Sequence, residues 1–126
     1  MYSDIICTTT PSTTPVLPDD KELLRGKCII AIGSYMPEMR EIPDAVLDLV
    51  NNVYIELPYA CEESGDLSQP LASGKLTKDR IKLMHEYLVS GEKEIKEGQT
   101  TYFKSVGMGL FDVCIAQKLY EVAKEK

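Results

Sequence analysis

The chain has 126 residues, 44% apolar and 27% charged, the composition of one globular domain at most. Its 14 basic residues are outnumbered by 20 acidic ones, for a net charge of −6, so it has no basic face for a phosphate backbone and nucleic acid is excluded as a partner. The longest apolar run, CIIAI, is too short to span a bilayer, and the opening MYSDIICTTTP lacks the basic region and apolar core of a signal peptide, so no membrane partner and a cytoplasmic location are expected.

Residues 4–10 (DIICTTT) are rich in β-branched side chains and end before Pro11, which predicts a strand. The hydroxyl- and proline-only stretch TTTPSTTP at residues 8–15 follows and cannot be helical. Residues 28–32 are apolar without alternation, the pattern of a parallel strand covered on both faces. GSYMPEMRE at residues 33–41 turns the chain into a helix over residues 44–50, with Val46, Leu49 and Val50 on one face. In that turn Pro37 sets the bend, and Glu38 and Glu41 suit the positive end of the helix. VYIEL at residues 53–57 is a third strand. In CEESGDL, Glu62, Glu63 and Asp66 read as a solvated helix end rather than a carboxylate cluster. Residues 77–90 read as one helix, capped by Thr77, stopped by Gly91 and striped by Ile81, Met84 and Leu88. EKEIKEG at residues 92–98 reads as a charged connector. A last helix over about residues 105–124 is apolar across an arc so wide that it needs burial on more than one side. The expectation is one α/β domain with a short parallel sheet of about three strands flanked by helices, a partial Rossmann-like fold.

Cys7, Cys28, Cys61 and Cys114 form no CxxC pair, and the single His85 is far from all of them, so buried free thiols are expected rather than zinc. His85 reads as an exposed helix residue, and Tyr54, Tyr59, Tyr87 and Tyr120 read as packing residues with wet tips.

Ligands of open parallel sheets sit beyond the carboxyl ends of the strands. TTTPSTTP and GSYMPEMRE both fall at that edge. Hydroxyls of Thr8, Thr10 and Ser12 can bond a ribose or amide, and Gly33 lets the backbone approach a flat ring. In FKSVGMG, Lys104 and Ser105 are candidates to receive an anion before the last helix, while Gly107 and Gly109 suit close helix packing. No GxGxxG phosphate loop occurs in the chain.

Four ordered stretches, DIICTTTPSTTPVL, IAIGSYMPEMREI, EESGDL and TTYFKSVGMGLFD, resemble the C-terminal part of the ornithine cyclodeaminase and mu-crystallin family over almost the whole chain. The resemblance implies the second half of an NAD(P)-binding Rossmann domain plus the helix that returns to a substrate-binding, dimerising domain. It implies hydride chemistry between nicotinamide and an amino acid or cyclic imine, with NAD or NADP as cofactor. It places Thr8, Thr9, Thr10, Ser12, Ile29, Ile30, Ala31, Ile32, Gly33, Ser34 and Ser105 against the cofactor and Tyr35 and Val106 by the substrate. Tyr35 stands where the cyclodeaminases carry a catalytic aspartate, and Met39 replaces a lysine of that loop, so no catalytic residue is matched.

The family's phosphate loop, ribose-binding acid and substrate-carboxylate bases precede the matching part. The first reading is therefore a fragment of an NAD(P)-dependent oxidoreductase or cyclodeaminase, inactive alone. The second is a non-catalytic small-molecule-binding or protein-interaction module. Self-association through residues 4–10, left as an apolar sheet edge, or a partner chain supplying the missing half is expected.

Overall fold

The computed structural model describes residues 3–91 and 95–125. Five strands form one sheet: β1 (Ile5–Thr8), β2 (Cys28–Ala31), β3 (Val53–Ile55), β4 (Ile81–Leu83) and β5 (Thr101–Lys104). Their order is β1-β2-β5-β3-β4, and every neighbouring pair is parallel. All five carboxyl ends therefore lie along one edge.

The α/β expectation holds, with five strands where about three were expected. The extra two were disguised. Ile81, Leu83 and Met84 fit a helical stripe as well as a strand alternation, so the sheet's last strand was hidden in a long predicted helix. The helix there is only α5 (Met84–Ser90), preceded by a 3-10 turn, and Gly91 closes it at φ 67° as expected. β5 carries a buried lysine, a residue that ordinarily marks surface.

Helices α1 (Lys21–Leu24), α2 (Asp44–Leu49), α3 (Ala60–Glu63) and α4 (Gly65–Ser73) complete the order with α5 and α6 (Gly109–Lys124). The register aligns Ile6, Ile29, Tyr102 and Val53 in one row across the sheet, all buried. Leu24, Val46, Leu47 and Leu67 pack over that row from α1, α2 and α4. Each such fully buried aliphatic side chain stabilises the fold by about 1.5–3 kcal/mol. Arg80 closes the end of α2: its Nη2 donates to the carbonyls of Leu47 (2.6 Å) and Val50 (2.7 Å). Those carbonyls would otherwise lack partners at the helix terminus.

The opposite face is more open, which corrects the expectation of a strand covered on both sides. Cys28 and Ile30 are half-buried and, with Tyr54, Met84, Ile95 and Phe103, line a shallow cavity of about 240 Å³. The ring of Tyr87 on α5 tilts against Tyr54 with centroids 5.1 Å apart. His85 is exposed on α5 as expected. Tyr59 and Tyr120, expected to pack, are exposed. The thiols expected to be buried are exposed at Cys7 and Cys114 and half-buried at Cys28 and Cys61.

The last helix starts at Gly109 rather than near Ser105. Ser105 continues the sheet by donating its N–H to the Ala31 carbonyl (3.0 Å). Gly107 then takes φ +88°, a left-handed turn that favours glycine. A Cβ at Gly107 or Gly109 would meet nothing, so turn geometry and not close packing explains the first of them. Along α6 no residue is buried, and Leu110, Phe111, Val113, Ile115 and Leu119 are exposed. In the predicted connector EKEIKEG, Glu92, Lys93 and Glu94 lie outside the described residues, while Lys96 and Glu97 are exposed.

Candidate functional site

Thr8, Ala31, Lys104 and Ile55 form the last registered row before the carboxyl edge. The loops beyond this row are those singled out in the sequence, and they meet. Arg40 donates its N–H to the Ser12 carbonyl (2.8 Å), and Val16 to the Glu41 carbonyl (2.8 Å). Gly33 lies so close to Thr10 that a Cβ would collide with its backbone N and O. Gly33 thus serves loop-to-loop contact, where the sequence suggested approach to a flat ring.

Three buried carboxylates hold this edge together. Glu41 was expected beside a helix end, yet it is fully buried under the loops. It accepts from the Thr8 hydroxyl (2.8 Å), the Thr10 N–H (2.5 Å) and the Gly33 N–H (2.8 Å). Burial alone would raise its pKa, but these donors outweigh burial and hold it below the ordinary glutamate value.

Asp66 is also buried, which overturns the solvated helix end. It lies in the first turn of α4, and its Oδ1 accepts from the N–H groups of Glu41 (2.7 Å) and Ile42 (2.9 Å). Its Oδ2 lies 3.6 Å from Nζ of Lys104. Lys104 is completely buried in β5, so it does not wait at a helix terminus for an external anion. Burial pushes the Asp66 carboxyl up and the Lys104 ammonium down, each against the pull of the other. The buried Tyr102 hydroxyl has no hydrogen-bond partner among the described residues, and burial raises its pKa well above the usual value.

Glu56, just past β3, is the third. Its Oε1 accepts from the Ser105 hydroxyl (2.8 Å), the Val106 N–H (2.6 Å) and the Gly107 N–H (3.2 Å). The anion expected at FKSVGMG is thus the protein's own carboxylate. Glu41 and Glu56 were missed because an acid beside a helix end or at the end of a strand ordinarily signals solvent. The one available clue was the density of hydroxyl and glycine donors in TTTP, IGS and KSVG, which need acceptors.

Ser34 is buried and donates to the Met39 carbonyl (2.8 Å), with the Ser64 hydroxyl at 2.8 Å. Ser12 donates its hydroxyl to the Thr14 carbonyl (2.6 Å). Ile29 and Ala31 are buried in the core, and Ile30 faces the open side of the sheet. Thr9, Ile32 and Tyr35 are exposed at the edge, with Thr10 and Val106 half-buried.

The model of the ornithine cyclodeaminase/mu-crystallin family matches residues 2–126. The chain belongs to that family. It is 39% identical over 127 residues to a Delta(1)-pyrroline-2-carboxylate reductase of Bacillus cereus, covering 98% of this chain and 38% of the relative. Among solved structures, a probable ornithine cyclodeaminase from Bordetella pertussis Tohama I superposes with TM-score 0.79 at 30% identity, covering 99% of this chain and 40% of that one. The Thermococcus litoralis Delta(1)-pyrroline-2-carboxylate reductase, solved with NADH and L-proline, superposes with TM-score 0.79 at 25% identity, covering 98% and 39%. The chain thus spans well under half the length of the proteins it matches.

A nicotinamide dinucleotide would meet two kinds of surface at this edge. Thr9, Ile32 and Tyr35 offer a hydroxyl, an aliphatic and an aromatic surface to a ribose or a flat ring. The N–H groups of Thr10, Gly33, Val106 and Gly107 are all committed to Glu41 or Glu56, so they form no cradle for a pyrophosphate. Among the described residues, no group of three or more His, Cys, Asp or Glu side chains can hold a metal ion, and no helix is long and apolar enough to cross a membrane.

Proposed function

We propose that the chain is the carboxyl-terminal half of the NAD(P)-binding domain of an amino-acid or cyclic-imine oxidoreductase, and that it needs further polypeptide to react. The observation that carries this reading is the family match over residues 2–126 in a chain whose strand-end loops are built while their backbone donors are committed internally. The nicotinamide would supply the hydride. Residues 8–12, with residues 29–34 and Ser105, would form the wall beside it. The exposed faces of Thr9 and Ile32 would make contact, and Thr8, Ser34 and Ser105 would hold the wall from behind. Tyr35 and Val106 would flank the substrate carbon. Tyr35 can donate a hydrogen bond there, where a carboxylate would accept one.

The exposed apolar surface of α6 supports a companion reading of assembly. A partner chain carrying the phosphate loop, or a second copy meeting the free edge of β1, would cover apolar surface that is exposed here. Titration of the purified chain with NADH and NADPH, read by nicotinamide fluorescence, tests the reading. The expected result is binding no tighter than about millimolar, since the pyrophosphate site is lacking. Micromolar binding with turnover of a cyclic imine by the chain alone would overturn the half-domain reading.

A further inference from the structure

Glu41 stands apart from the residues that the resemblance assigns. It belongs to neither strand end, yet its carboxylate takes the Thr8 hydroxyl and Thr10 N–H from one loop and the Gly33 N–H from the other. All three partners are donors. A carboxylate offers only acceptors, whereas the amide of a glutamine would set an NH₂ group against one of these donors. The site therefore requires a carboxylate, not merely a polar side chain of that size. Its main chain is held as well, the N–H by Asp66 (2.7 Å) and the carbonyl by Val16 (2.8 Å), so the side chain enters from a fixed base.

The chemical consequence reaches the open surface. The Thr8 hydroxyl is buried and its proton is committed to Glu41, so Thr8 offers no donor to a ligand, against the ribose or amide bond expected of it. The loop faces that remain outward, at Thr9, Ile32 and Tyr35, follow from where Glu41 pins Thr8, Thr10 and Gly33. We infer that Glu41 is a positioning residue that locks residues 8–12 and 32–35 into one wall, the wall that would meet the nicotinamide side of the cofactor. Its cofactor role rests on the function proposed above, while the lock itself does not.

The test uses the full chain labelled with ¹⁵N and compares the parent with Glu41→Gln, Glu41→Asp and Thr8→Val. In Glu41→Gln the amides of Thr10 and Gly33 are expected to lose the low-field shift of a carboxylate-bound N–H and to exchange at least tenfold faster, while Ile29 and Ile30 keep theirs. Glu41→Asp, a shorter carboxylate, should restore part of both signals. If Glu41→Gln does not fold, Thr8→Val decides, because loss of one donor should shift Gly33 across the loop gap. Unchanged Thr10 and Gly33 amides in Glu41→Gln, or an unmoved Gly33 in Thr8→Val, would overturn the lock. NADH is then added to the parent at millimolar concentration. Perturbed amides at Thr9, Ile32 and Tyr35 that weaken at least tenfold in Glu41→Gln support the cofactor role, and equal perturbation in both overturns it. No perturbation in the parent removes the cofactor reading and leaves the lock to be judged by the amides alone.

Discussion

Among single residues, Glu41 shows how a carboxylate is buried and still ionised. The hydrogen bonds that lower its pKa mean that the unfolded chain binds more protons in that pH window. Its stabilisation is present above the ordinary glutamate pKa and is lost as pH falls through the lowered value. Asp66 has the opposite sign: its raised pKa makes stability fall as pH rises through the window above the ordinary aspartate value. The charge of Glu41 acts on Asp66, Lys104 and Tyr102, so Glu41→Gln reports Glu41 together with its influence on these neighbours. Urea midpoints of the parent should fall more steeply between about pH 5 and pH 3 than those of Glu41→Gln, and parallel profiles would count against this account. Lys104→Met should destabilise by about 3–5 kcal/mol, because it strands a buried carboxylate. Adding Asp66→Asn should recover only part of that, since the amide keeps an Oδ1 acceptor for the N–H groups of Glu41 and Ile42 and removes the charge but buries an NH₂ where Oδ2 stood. Chemical denaturation of the two single variants and the double variant measures the difference.

Between elements, close loop contacts and unequal burial decide the predictions. A Cβ on Gly65, at the start of α4, would collide with the Met39 carbonyl oxygen, and one on Gly33 would collide with the Thr10 backbone. Gly33→Ala and Gly65→Ala should each cost about 1–3 kcal/mol or more, because main chain must move. A thermal midpoint equal to the parent's would contradict the closeness of these contacts. α6 has 16 residues, about 24 Å of helix, and buries none of them. An unpacked helix of that length is marginal in water. Its amides should exchange at least tenfold faster than those of β2, as hydrogen exchange read by mass spectrometry would show. The stripe on α6 was legible because its spacing is regular over four turns. The starts of β4 and α6 were not, because Ile81–Leu83 is too short to reveal a period and Ser105 extends the sheet through a backbone bond.

Across the molecule as a whole, exposed apolar surface collects on α6, with Leu88 and Val89 exposed on α5 and Ile5 of the outer strand β1 63% exposed. The order β1-β2-β5-β3-β4 leaves β1, like β4, with one neighbour among the described strands. Sedimentation should show concentration-dependent assembly. Ile5→Lys and Phe111→Asp should weaken it while changing the stability of the folded chain by no more than about 0.5 kcal/mol, as exposed positions do. A stable monomer at high concentration would sink the prediction.

The class of fold, the three strands with strong β-branched runs, the two loops at the carboxyl edge and, through four ordered motifs, the family could all be read from the chain as a line of residues. These are local patterns, and local pattern is what a linear chain displays. The burial of Glu41, Asp66 and Glu56, the place of Lys104 in the sheet, and the inward turn of Thr8, Ser34 and Ser105 emerged only on folding. Gly33–Glu41 and Ser34–Met39 are local, but the other contacts behind these outcomes join residues 24 to 51 positions apart in the chain. Whether a charge meets water or a hydroxyl and two backbone donors depends on which loops the parallel sheet brings to the same edge, and the pairing of Thr8 and Thr10 with Glu41 lies in no short window of the sequence.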